Sequence, residues 1–455
     1  MNINSNINRE AIGLFHSNSS TIESHSSRLL NQHRAQALEL LEQLPSPDVK
    51  SEAYRYSLFP AERWMRCQKV FAPITCDIST DDIFRCNLPN LHAHLALTLN
   101  GFYHAVDVER LQKLPKGVIV GSLAQAAIEY PDLVAKHYNI LAPNASDSLV
   151  AINTALVQDG IFVYIPRNVV MEQPIQIINM LQGVEPQFVQ YRNLIVLEEN
   201  SQAHLLVCNH TLSPAAFVSN AVTEIVAAPN AVLNLVLTQN EHNQATHISH
   251  THIDAQSGAR VNTHTLSLHG GFIRNNLRIA LSGEGAEANA YGLLLADRQQ
   301  HIDNATLIEH IVPGCTSHEL YKGILDEDAT GAFCGSIVVH PNAQRTEAYQ
   351  NCNNLLLTDT ASMNAKPQLE IYADDVRCSH GATVGQLDAE AMFYLRSRGI
   401  SERQAKLLMM FGFAHDVVQH IGIAPLRERI DELVHKRLNG ELNRCHTCPI
   451  NTVQQ

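Results

Sequence analysis

The chain contains a single tryptophan, and aromatic residues make up only 6% of its 455 positions. Aromatic-rich sugar-binding grooves and propeller blades with a Trp-Asp signature therefore find little support. Basic side chains are also scarce, with 32 Lys and Arg against 45 Asp and Glu, a formal charge of −13. That excess repels nucleic-acid phosphates and anionic lipid, and no local basic cluster overrides it, so neither nucleic acid nor membrane is an expected partner. The dipeptide Gly-Lys never occurs, which removes the phosphate loop of P-loop ATPases. A G-x-S-x-G elbow and an H-E-x-x-H helix are absent too; His318-Glu319 continues as Leu-Tyr-Lys, which breaks the zincin pattern. No uncharged apolar run approaches the length of a membrane span, and MNINSNINREAIGLFHSNSS lacks the basic start and apolar core of a secretory signal. A cytoplasmic protein is expected.

Ten cysteines are too few for a disulfide scaffold in a chain of this length. Cys67, Cys76, Cys86, Cys208, Cys315 and Cys334 sit singly among apolar or mixed residues, as small buried hydrophobes do. Cys445 and Cys448 form a lone C-x-x-C in a polar tail, without the second pair that a closed zinc site needs. Histidine is plentiful, with 24 residues. In THISHTH, strict alternation puts His250 and His252 on one strand face and His247 on the other, which weakens a three-ligand site.

Periodicity divides the chain. Ser27 to Leu44 carries Leu29, Leu30, Ala37, Leu38, Leu41 and Leu44 on a stripe near 3.6, and Ser122 to Tyr138 repeats the pattern with Pro131 interrupting it. From about Leu149 the period becomes two, in short β-rich runs separated by Gly, Asn, Pro or Asp. No helix-length amphipathic segment intervenes over roughly 200 residues, which excludes a doubly wound α/β sheet. Small residues recurring inside the strands favour a β-solenoid over a sandwich, barrel or propeller. Helical period returns after Gly385. Asp388 caps one helix that Gly399 ends, Ser401 and Gln404 form a capping box for a second, and a third starts at Pro425. Leu407, Leu408, Met409, Met410, Phe411 and Phe413 leave the second helix apolar nearly all round. It is therefore either buried or docked on another protein. The expected divisions are a helical region 1–112, a β core 113–387, a helical region 388–443 and a tail 444–455.

The stretch DVRCSHGATVG, Asp375 to Gly385, brings chemistry to the end of the β region. In an extended chain Cys378 and His380 project from one face, about 6.6 Å apart along the strand, close enough to converge on one metal or a shared substrate. By spacing alone the pair also fits an incidental thiol and imidazole at a strand end.

The run QLEIYADDVRCSHGATVGQLDAEAMFYLRSRGIS resembles the signature of the SufB/SufD family of iron–sulfur cluster assembly proteins. Where the SufB branch reads Glu-His-Glu-Ala-Thr or a close variant, this chain has Ser379-His380-Gly381-Ala382-Thr383, which is similar to the SufD branch. Similarity continues through AQRTEAYQNCNNLLL, NAVTEIVAAPNAVLNLVLTQNE, INTALVQDGIFVYIP and LPSPDVKSEAYRYS. The resemblance implies a right-handed parallel β-helix (solenoid) flanked by N- and C-terminal helical regions. It further implies a non-catalytic scaffold subunit that pairs with SufB through the β-helix and with the ATPase SufC through the helices after Asp388, with a homodimer possible for the isolated chain. A nascent iron–sulfur cluster is expected at the SufB interface, and reduced flavin in the assembled complex. His380 matches the family's functional histidine and would meet transient iron; Cys378 belongs to the same motif. Cys352 falls where SufB carries its important cysteine. The alternative is a β-helix enzyme acting on carbohydrate or acyl substrates.

Overall fold

The computed structural model describes residues 7–47, 51–57, 59–74, 93–105, 114–213 and 215–440. Cys76, Cys86 and the tail with Cys445 and Cys448 lie outside the described residues. Two ten-stranded sheets face each other, and from Ile161–Ile165 onward successive strands alternate between them, so that each later neighbour within a sheet is the next strand but one in the chain. The result is a parallel β-solenoid of about seven turns. Its inner rows are apolar at one end of each strand, where Ile195, Ile225, Ile253, Ile279 and Ile308 of one sheet meet Ala203, Leu233, Val261 and Ala288 of the other.

One corner explains the regular polar breaks in the sequence. Asn168, Asn200 and Asn230 take positive φ values of 62°, 58° and 58°, and the same column continues through Gly258 and, near φ 70°, Gly314. Asparagine and glycine are the residues that tolerate this conformation best. Asn200 Nδ2 donates to Asn168 Oδ1 at 2.9 Å, and Asn230 Nδ2 to Asn200 Oδ1 at 3.0 Å. The corner backbones are linked as well, since Asn168, Asn200, Asn230, Gly258 and Gly314 each donate N–H to a carbonyl of the following turn.

Helices and strands interleave before residue 165. The stripe from Ser27 forms Arg28–Asn31 and Arg34–Leu41, and Pro131 separates Leu123–Glu129 from Pro131–His137. The helix Ser148–Leu156 is buried along its whole length. Its terminal carbonyls are met by the buried Arg34, which donates to the oxygens of Thr154, Ala155 and Val157. Burial holds that guanidinium down at about 10. A second buried cation, Arg192, pairs with Glu224 at 2.7 Å with both side chains fully shielded. Glu224 also accepts the backbone N–H groups of Asn139, Leu141 and Ala142, which ties the helical region to the first turns.

The C-terminal helices Ala389–Ser397, Glu402–Val418 and Ala424–Leu438 begin and end where the sequence indicates. Ser401 Oγ accepts from Gln404 N, but the Gln404 side chain turns onto the Ser401 hydroxyl at 3.0 Å instead of completing the reciprocal box. The apolar Glu402–Val418 helix has a core to borrow. Met410, Ala414, Val417 and Val418 pack with Leu206, Val236, Leu266, Leu293 and Ile324 on the outer face of the solenoid. Met410 is therefore an internal packing residue, and the Phe413 ring lies 4.3 Å from the Lys322 ammonium. The apolar side chains left on the surface are Phe393, Tyr394 and Leu408, 74%, 57% and 54% exposed.

Candidate functional site

The strands Ser362–Ile371 and Val376–Gly385 close the two sheets, one each, and each has a partner on one side only among the described residues. Their side chains change character accordingly. Strands earlier in the solenoid, such as Ile175–Leu181, are buried throughout, whereas most of Val376–Gly385 is exposed. His380 and Cys378 sit on this final strand, in register with Gln350 and Ala348 of the preceding turn. Alternation holds as the sequence indicates: both follow rows whose earlier members are buried inside the solenoid.

The three sequence-derived residues have different surroundings. His380 is exposed at the open end. Cys378 is half-buried, packs beside Ile337, Val339, Ala348 and Ala373, and has its thiol pushed up by burial. Cys352, one turn back and opposite Ala382, is 1% exposed. Burial pushes its thiol up to about 12 despite the hydrogen bond from Asn354 Nδ2 to Sγ at 3.2 Å. It is held as a neutral thiol in this conformation. Among the described residues no group of three or more His, Cys, Asp or Glu side chains converges to hold a metal. The end of the solenoid thus presents one exposed imidazole and one partly shielded thiol.

The histidine-rich strand behaves differently. His247 points inward, with Nδ1 2.8 Å from Ser219 Oγ and 3.1 Å from Glu241. His250 and His252 are buried on the opposite face, and burial pushes His252 down to about 3. Three imidazoles on two faces do not share a ligand. On that outer face the carboxylates are committed as well: Asp303 pairs with Arg274, and Glu309 with Arg278 at 2.5 Å.

Sequence reading missed the polar interior behind His380. Glu319 and Gln350 are fully buried, and Gln350 Nε2 donates to Glu319 Oε2 at 2.5 Å. The available signal was spacing. Turns recur at about 30 residues, so Glu319, Gln350 and His380 occupy one row on successive strands.

Comparison with known proteins agrees with this architecture. A family model described as the SUF system FeS cluster assembly, SufBD core domain, matches residues 179–413, and one for the SufBD protein N-terminal region matches residues 5–177. A SufBD family iron–sulfur cluster assembly protein of Synechocystis sp. is 29% identical over 423 residues, covering 90% of this chain and 91% of its own. The iron–sulfur cluster assembly protein SufD of Escherichia coli is 32% identical over 271 residues, 59% of this chain and 64% of that protein. SufD of Bacillus subtilis is 26% identical over 331 residues, 71% and 74% of the two chains. With both family regions matched in order along one solenoid, the chain belongs to the SufBD family of iron–sulfur cluster assembly proteins and is SufD-like.

Proposed function

We propose that the chain is a non-catalytic scaffold subunit of a cytoplasmic SUF assembly complex, in which a cluster forms where its open solenoid end meets SufB. The observation that carries this reading is the pair of terminal strands whose outer edges have no partner among the described residues, with His380 exposed upon one of them. An open sheet edge is a template for another chain, and natural proteins cover such edges or use them. A single imidazole and a thiol cannot complete a cluster site, so the remaining ligands come from the partner. His380 ligates incoming iron through a ring nitrogen or takes a proton released as sulfide bridges form. The ATPase SufC supplies the phosphate chemistry that the sequence lacks. It docks on the C-terminal helices, where Ala389–Ser397 has no buried residue and exposes Phe393 and Tyr394.

The test is cluster assembly by the complex of this chain with SufB and SufC, carrying His380→Ala. Assembly is expected to be lost while the unfolding free energy of the subunit stays within about 0.5 kcal/mol of wild type, as for an exposed residue. Normal assembly by the folded variant would reject the role given to His380.

A further inference from the structure

His380 stands at the end of an inward-facing row that turns polar over its last three positions. Ala290, Glu319, Gln350 and His380 are register partners on four successive strands of one sheet. Glu319 and Gln350 are 2% and 0% exposed. Two such groups cost several kcal/mol to bury unless hydrogen-bonded, on the order of the values for amides and charges. The fold also makes room for them. A methyl on Gly335, in the opposite sheet, would stand 2.4 Å from Gln350 Nε2, so the glycine leaves the space that the amide occupies.

The polarity of this pair is specified. In its ionised form the Glu319 carboxylate only accepts hydrogen bonds, and it then holds the Nε2 end of the Gln350 amide towards itself. The other end, Oε1, is buried and has no hydrogen-bond partner among the described residues. It is an acceptor in want of a donor, and the next side chain along the row is that of His380, about 4.8 Å away at the strand spacing.

We propose that Glu319 and Gln350 are positioning residues for His380. Gln350 Oε1 accepts one ring N–H of the imidazole and thereby fixes its tautomer, leaving the lone pair of the other ring nitrogen free to meet iron. The logic is that of outer partners which orient a metal-binding histidine and raise its basicity. Glu319 acts one step further back by fixing which end of the amide faces the ring. This inference rests on the role proposed above for His380.

The experiment uses full-length chain labelled with ¹⁵N-histidine, with the His380 ring signals identified by their loss in His380→Ala. Wild type is expected to show one tautomer. Glu319→Gln keeps shape and hydrogen bonding but lets the amide pair turn either way, so the ring signals should become those of a tautomer mixture. Assembly in the complete complex should fall about tenfold, the lower range for loss of such an outer partner. A single unchanged tautomer with wild-type assembly in Glu319→Gln overturns the proposal. If His380→Ala still abolishes assembly in that case, the role of His380 stands without its positioning residues; if His380→Ala assembles normally, both fall. Should Glu319→Gln fail to fold, Gly335→Ala displaces the Gln350 amide without altering either polar residue, and the same ring signals decide.

Discussion

The two ends of the solenoid are built to opposite requirements. At the N-terminal end each sheet finishes in a short antiparallel strand: Phe102–His104 reverses onto His94–Leu99, and Ile119–Ser122 onto Ile161–Ile165. Helices then cover the flank, and the buried Arg192–Glu224 pair locks them to the first turns. At the C-terminal end the last strands run parallel to their predecessors and stop, with no reversing strand among the described residues. One end is finished as a single protein finishes an edge. The other leaves a strand edge open on each sheet among the described residues, and it is the end that bears His380.

The largest effect should come from breaking the closed end. Arg192→Ala leaves Glu224 buried without its cation, and a loss of about 3–5 kcal/mol in urea unfolding is expected. A change below about 1 kcal/mol would show that the helical region does not depend on this pair.

Next comes the interior just behind the open end. Burial pushes the Glu319 carboxyl from 4.5 up to about 7. The folded protein therefore holds this proton more tightly than the unfolded chain does. Stability should fall as pH rises from about 4.5 through about 7, by up to roughly 3 kcal/mol, and level off above. Glu319→Gln should flatten that part of the profile, measured as unfolding free energy at pH 5 and pH 8; an unchanged slope would place the pH dependence elsewhere.

The smallest effect on the fold should come from the open edge itself. Val384 on the last strand is 45% exposed. Val384→Lys should leave the unfolding free energy within about 0.5 kcal/mol. It should weaken pairing with SufB at least tenfold in a two-component titration, because it places a charge on a surface that must be desolvated. Equal pairing by wild type and variant would move the interface away from this edge.

Much of this contrast is visible in the sequence, and its limits are physical. Pro131, Asp388, Gly399 and Ser401 act locally, through missing donors, caps and a left-handed residue, so their helix boundaries can be read directly. The placement of Cys378 and His380 on one face follows from alternation alone. The burial of Met410 does not, because its partners Leu266 and Leu293 are over a hundred residues away. Nor does the row joining Glu319 to His380, since each turn adds a slightly different number of residues. Hydrogen-bonded partners lie 27 apart at Asn289 and Asn262, 31 at Gln350 and Glu319, and 32 at Asn200 and Asn168. Only the assembled register brings such positions into line.

The corner column of asparagines and glycines gives the molecule a direction in time. Each corner residue donates its N–H forward, from Asn168 to Glu199, Asn200 to Pro229, Asn230 to Ser257, and Gly314 to Gln344. A turn is thus completed by the residues that leave the ribosome after it, and each finished turn offers a ready edge to the next. Arg345 makes the final forward bond of the column, to Asp375 at 2.6 Å. Beyond that point no further strand joins the column among the described residues, and the edge that each turn offered to the next is left open.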